Sequence, residues 1–319
     1  ATFISTENKY VDFASGERIK YDKLVIATGS TPVKPAWLTG GDKENVYVIP
    51  KDKVYLEDMK TRLASQKKVV VIGAGFIGVE FADELVKSGH DVLLVEKLPD
   101  ILMLAFDAEL SKKIEEILIQ RGVKVITGNG IKEIHGGSKV EKVELENGEF
   151  FDADAVVLSI GYKPNVELAR KSGIYVDESN FIATDEYMRT HIKDIFAVGD
   201  CAQKRDFVTR ARVSTMLAST ACAEGRIAGM NLFNLNVVKT FSGTIAIYST
   251  AIGDTGFGTA GVTEARAKAE GIDTVTGVFE GIDRHPGNMP GAMKQIVKLI
   301  VARHSGVIIG GEVIGGLSA

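Results

Sequence analysis

Three glycines, Gly73, Gly75 and Gly78, stand in the spacing GxGxxG, and a carboxylate, Glu96, closes the apolar run Asp91-Val92-Leu93-Leu94-Val95 further along. Residue types in this order can hold a dinucleotide. Gly73 allows a tight turn, Gly75 lets the backbone approach a pyrophosphate, and Gly78 lets a helix pack closely on its strand, so that helix amides and dipole face the phosphates. Glu96 stands roughly 20 residues on, where a carboxylate accepts from both ribose hydroxyls and repels a 2′-phosphate. That favours NAD over NADP, although Lys97 beside it leaves some tolerance for NADP. A second carboxylate, Asp200, follows Gly199 at the end of the apolar run Ile195-Phe196-Ala197-Val198. Ligands of α/β sheets bind at such strand ends, where a carboxylate can accept from a sugar-alcohol hydroxyl. The segment Ala27-Thr28-Gly29-Ser30 closes another apolar run in the same way. The plain alternative for each is a strand-end turn with no ligand.

A bare GxGxxG is weak evidence, and its context gives it weight. The run Lys68-Val69-Val70-Val71-Ile72 reads as a buried parallel strand. Phe76 to Lys87, with Phe76 and Ile77 inside the motif, reads as a helix ended by Ser88-Gly89. Around this unit the chain predicts a β-meander over residues 1 to 22, a strand over Lys23 to Ile26, and helices over Lys51 to Ala64 and Asp107 to Gln120. From Ile131 to Phe151 the apolar period changes to two, with turns at Gly136-Gly137 and Asn147-Gly148, so a meander replaces a crossover helix before Ala155 to Ser159 returns to the parallel sheet. Phe181-Ile182-Ala183 reads as a further strand, and Val213 to Leu232 as a long helix. Beyond it lies a block of strands, among them Ile245 to Tyr248, Gln295 to Val301 and Val307 to Ile309, with one helix capped by Thr263 and stopped by Gly271.

A length of 319 residues implies two or three domains, and 34 glycines suit an α/β protein with many strand-to-helix turns. The net charge of −4 carries no nucleic-acid footprint and no run approaches 18 apolar residues, so neither nucleic acid nor a membrane is an expected partner. Two cysteines, Cys201 and Cys222, make no disulfide framework and no metal motif, which fits a cytoplasmic location and no metal.

Four ordered segments, Tyr21 to Ser30, Val71 to Glu80, Gly161-Tyr162-Lys163-Pro164-Asn165 and Asp194 to Asp200, resemble those of the pyridine nucleotide-disulfide oxidoreductases, and most nearly their NADH oxidase and coenzyme A-disulfide reductase branch. The resemblance implies an α/β fold: a Rossmann-like NAD-binding domain over 49–181, inserted in a partial FAD-binding domain over 1–48 and 182–238, then an α+β dimerisation domain over 239–319. It implies NAD and FAD as cofactors, and a homodimer. Carried onto this sequence, Thr28 and Gly29 would border the flavin chain and Gly199 and Asp200 would hold its ribityl part. Phe76 would gate the nicotinamide pocket, Glu80 would act beside the nicotinamide, and Gly161 would border its ribose. NADH would pass hydride to flavin and so to a small-molecule acceptor: oxygen, peroxide, or a disulfide or polysulfide.

The departures are as informative. The family has an N-terminal βαβ unit for the ADP half of FAD and a redox cysteine soon after it, whereas no second GxGxxG precedes Ala27 and no cysteine precedes Cys201. The chain therefore reads as a fragment without that segment, with a truncated dimerisation domain. Cys201 reads as a small buried hydrophobe rather than the redox thiol, and Cys222 as helix packing. In the loop Arg284 to Gly291, Asn288 and Met289 replace the tyrosines of coenzyme A-disulfide reductases, and His285 is the only candidate acid or base. The rival reading is a non-catalytic NAD-binding module, either a redox sensor or one subunit of a split enzyme.

Overall fold

The structure is a computed structural model and describes residues 1–234 and 239–317; the sequence-drawn boundary at 238 and the chain's last two residues lie outside the described residues. The chain divides into two compact units, one of residues 1–31 and 162–246, the other of 32–161 and 247–319.

The second unit is built on a five-stranded parallel sheet, in spatial order Val46–Val48, Ala155–Leu158, Lys68–Ile72, Asp91–Val95 and Lys124–Ile126. Past the exposed Lys68, Asp91 and Lys124 that begin three of them, its strands are largely apolar, as both faces are covered. Val69, Val71, Val92 and Leu94 point to one face and pack on Val79, Ala82, Leu110, Ile114 and Leu118 of the helices Phe76–Lys87 and Ala108–Gln120. Val70, Ile72, Leu93 and Val95 point to the other, where Ile134, Val143 and Leu145 of the antiparallel meander Ile131–His135, Lys142–Leu145 and Phe150–Asp152 cover them. The period-two segment thus does the work a crossover helix would do. Residues from 247 onward form a five-stranded antiparallel sheet, in order Ile247–Ile252, Thr255–Gly261, Ile308–Gly316, Lys294–Ala302 and Thr274–Ile282, with the short helix Glu264–Ala269. Thr263 caps that helix by accepting from the Arg266 amide, as its sequence predicts.

The first unit has a three-stranded meander, Phe3–Ser5, Tyr10–Asp12 and Arg18–Lys20, beside two parallel strands, Leu24–Ile26 and Ile195–Ala197. Ile4, Val11, Ile26, Ile182, Ile195 and Ala197 form one core; Phe196, Val198, Ile227 and Ala228 form another under the helix Ala218–Asn231.

Val46–Val48 is an edge strand of the parallel sheet, and Val166, Ala169 and Ile174 pack with Ile4 and Val11. The structure corrects three sequence readings. Phe181 to Ala183 makes only isolated bridges through Ile182, to Val176 and Ala202. The long helix starts at Ala218, not Val213, because Val213 pairs with Lys204 in a small hairpin. Cys222 is exposed on that helix rather than packed. Among the described residues no helix is long and apolar enough to cross a membrane.

Candidate nucleotide and cofactor sites

In the second unit, the turn after Lys68–Ile72 opens with Gly73 at φ +96°, a conformation that strains any side chain. A Cβ on Gly78 would lie 1.9 Å from the Gly73 carbonyl oxygen, so the helix can sit this close to the turn only with glycine there. Ser159 holds the turn from the neighbouring strand end, its hydroxyl lying 2.9 Å from the Ile72 carbonyl oxygen and 2.7 Å from that of Gly73. A Cβ on Gly75 would meet nothing within 4 Å: this is the open side of the loop. Gly75 also begins the helix Phe76–Lys87, and no side chain caps it, which suits its first amides to a phosphate.

Glu96 is anchored at this loop. Its Oε2 accepts from the Ala74 amide at 2.6 Å and its Oε1 from the Leu98 amide at 2.8 Å. A carboxylate has about four acceptor sites, so two backbone bonds orient it and leave capacity for ribose hydroxyls. Lys97 turns away to Glu146, at 2.9 Å.

The other sequence candidates of this unit are less alike. Phe76 is half-buried, with its ring stacked on Tyr248 at a centroid distance of 5.0 Å and tilted against Phe106 at 6.1 Å. It packs against the edge of the core cluster of this unit. Ile77 is half-buried in the first turn, Glu80 is exposed on the same helix, and Gly161 is exposed at φ +101° with its carbonyl accepting from the Val33 amide.

In the first unit, the ends of the two parallel strands gather the remaining candidates. Thr28 donates to the Asn165 carbonyl at 2.6 Å, Asn165 Nδ2 returns a bond to the Thr28 carbonyl at 2.9 Å, and the Gly29 carbonyl accepts from the Asn165 amide at 2.9 Å. Asp200, only 7% exposed, accepts from the Ser30 hydroxyl at 2.7 Å. Gly199 takes φ +78°, where a Cβ would touch only Ala221, at 3.7 Å. Together these place a carboxylate, a hydroxyl and two glycines at one set of strand ends, which fits a hydroxylated cofactor chain passing over them. Cys201 is fully buried, with its thiol directed at the Val198 carbonyl, 3.4 Å away, so it is a packing residue as its sequence context predicts.

The comparisons with known proteins decide the family. The pattern of pyridine nucleotide-disulphide oxidoreductases matches residues 1–225, and that of their dimerisation domain matches residues 247–318. The chain belongs to this family. It is 32% identical over 317 residues to an NADH oxidase of Methanocaldococcus jannaschii, covering 97% of this chain and 68% of that protein. A CoA-dependent NAD(P)H sulfur oxidoreductase of Pyrococcus abyssi is 33% identical, with 93% of this chain and 65% of that protein covered. Among solved structures, an NAD-dependent persulfide reductase from A. fulgidus superimposes with a TM-score of 0.93 at 32% identity, covering 99% of this chain and 58% of that one. A water-forming NADH oxidase from Lactobacillus brevis, bound to NADH, gives a TM-score of 0.89 at 27% identity, covering 98% and 69%. The chain therefore spans about two thirds of the length of the curated relatives it matches. The α/β fold with a dimerisation domain, expected from the four motifs, is the fold of this family.

Two residues at these sites escaped the sequence reading. Lys204 and Glu224 lie under the Gly199-Asp200 turn, both with side chains 0% exposed. Lysine and glutamate are ordinarily solvated, so composition gives no warning of them. The spacing of Thr220, Glu224, Ile227 and Asn231, all buried on one helix face, was the signal for Glu224.

Proposed function

We propose that this chain serves a flavin-dependent oxidoreductase that takes hydride from NADH and passes its electrons through FAD to oxygen, peroxide, or a disulfide or polysulfide. NADH lies on the Gly73-Gly75-Gly78 loop, its pyrophosphate against the open side at Gly75 and the first amides of the helix Phe76–Lys87. FAD lies along Thr28-Gly29 and Gly199-Asp200, and supplies the ring that accepts a hydride and releases electrons. Glu80 and Gly161 flank the nicotinamide, and Phe76 shifts from Tyr248 to admit it. The observation that carries this reading is Glu96, pinned by the Ala74 amide at the lip of the loop, where a ribose would meet it. The names of the relatives point to oxidases in some and to sulfur compounds in others, which is why the acceptor stays a class.

Calorimetry with NADH and NADPH tests the site. The wild type is expected to prefer NADH by roughly tenfold or more, and Glu96→Ala to lose most of that preference, since a tenfold ratio needs only about 1.4 kcal/mol. Equal affinities in the wild type would remove Glu96 from the ribose.

The partner we propose is a second copy of the chain. In the antiparallel sheet, register aligns Phe279, Val297 and Val313 across three strands, with Phe279 61% and Val313 39% exposed. An apolar ladder of this kind suits a two-fold interface, where each copy presents the same patch. Sedimentation over a concentration series is expected to show a dimer; Phe279→Asp should shift it to monomer, and a wild-type monomer throughout would refute the assignment.

A further inference from the structure

The Gly199 peptide is held from both sides by one buried ion pair. Glu224 reaches in from the helix Ala218–Asn231, and its Oε2 accepts from the Gly199 amide at 2.6 Å. Lys204, from the hairpin strand, donates Nζ to the Gly199 carbonyl at 2.5 Å and to the Ala202 carbonyl at 3.0 Å. The two side chains meet at 3.5 Å, Nζ to Glu224 Oε1. Burying two charges is expensive, and apolar side chains of similar volume would usually fill such a space at no loss of stability. What apolar side chains cannot do is bond both the amide and the carbonyl of Gly199. Gly199 needs that restraint: its left-handed backbone carries the next residue, Asp200, to the strand end, where the carboxylate meets Ser30.

We propose that Lys204 and Glu224 are positioning residues, which clamp the Gly199 peptide and thereby hold Asp200 in the orientation that receives the hydroxylated chain of the flavin. The proposal rests on the reading of Asp200 as a flavin ligand. Three groups set the electrostatics around Glu224. Burial pushes its carboxyl up to about 7, Lys204 and the Gly199 amide pull it down, and the Asp200 carboxylate on the turn pushes it up again. The clamp therefore titrates near neutrality, which gives it a signature that plain packing lacks.

The test uses the full chain and free FAD, with binding read from flavin fluorescence. Glu224→Gln keeps an oxygen for the Gly199 amide, whereas Glu224→Ala does not. FAD affinity is expected to fall about tenfold or more in Glu224→Ala and no more than about threefold in Glu224→Gln, at comparable melting temperatures. That split is what a lost hydrogen bond to a ligand-bearing turn predicts. Equal affinities in wild type and Glu224→Ala, or equal losses in both variants, would overturn the proposal. A second readout needs neither flavin nor the alanine variant. The Gly199 amide resonance is expected to shift with a midpoint near neutral pH in the wild type and to stay flat in Glu224→Gln; a flat wild-type resonance between about pH 5 and 9 would overturn the clamp. Failure of the wild type to bind FAD would follow equally from the missing unit for the ADP half of the cofactor, and the Gly199 titration would then decide the clamp.

Discussion

Among the described residues two lysines are buried, Lys204 in the first unit and Lys298 in the second, and they are balanced in opposite ways. Lys204 faces two backbone carbonyls and one glutamate at 3.5 Å. Lys298 faces three carboxylates, Asp107 at 2.9 Å, Glu109 at 2.5 Å and Glu264 at 3.0 Å. A fourth, Glu312, is its cross-strand neighbour, 2% exposed, with Oε1 accepting from the Asp107 amide. Burial works against the Lys298 ammonium, but its bonds to Glu109, Asp107 and Glu264 outweigh it and hold the charge above the ordinary lysine range. Asp107 is kept below the usual carboxylate range despite its burial, by the Ala265 amide, Lys298 and the Glu264 amide. Glu312 gives way instead: burial, and then the Asp107 charge, push it up to about 8. The first unit thus uses a buried lysine to fix the backbone of the Gly199-Asp200 turn. The second uses one as the hub of a joint between its sheets, and leaves one carboxyl protonated so that the charges can coexist.

The largest break in this contrast is Lys298→Met, which strips the cation from Asp107 in a dry place. Unfolding by urea is expected to show a loss of about 3–5 kcal/mol, the usual cost of orphaning one member of a buried pair. Lys204→Met should cost less, about 1–3 kcal/mol near pH 7, because Glu224 can take up a proton when its partner goes. If both losses came out equal, the distinction between hub and clamp would fail. The finest probe is Glu312→Gln. A carboxyl whose folded value lies above its unfolded one binds more protons when folded, so its stabilising contribution is complete below about pH 4.5 and is lost as the pH rises through about 8. Glu312→Gln should therefore lie near wild type at pH 5 and become relatively more stable by pH 9, with denaturation measured at both. Parallel stability curves for the two proteins would show that Glu312 does not carry the proton.

How far the sequence foretold these regions depends on the range of the interactions. Strand runs, the period change at Ile131 and the glycine spacing are local signals, and the parallel sheet, its meander and the Gly73 turn follow them. The spacing of Glu96 from Gly73 is local as well, within one βαβ unit, although its bond from the Ala74 amide is not part of that pattern. The joint is not local: Asp107 lies far along the chain from Glu264, Lys298 and Glu312, and only the tertiary fold brings them together. Even so, a trace was present. Ile296, Lys298 and Ile300 alternate on one strand, and both isoleucines face inward, so the period of two already places the lysine on the covered face. The stacking of Phe76 on Tyr248 had no such trace, since no periodicity names a ring's partner.

Asp107 has one further consequence. It stands at the cap position of Ala108–Gln120 but makes no capping bond there; its oxygens accept from the Glu264 and Ala265 amides at 2.9 and 3.0 Å, and so begin the helix Glu264–Ala269 instead. A residue of the parallel-sheet layer thus completes the start of a helix in the antiparallel-sheet layer. The two layers are therefore a poor place to cut or to graft. A chimera that joined the first layer of this chain to the second layer of a distant relative would inherit a helix start without its acid, or an acid without its lysine. Interchange between such proteins is expected to succeed only when positions 107, 264, 298 and 312 travel as a set.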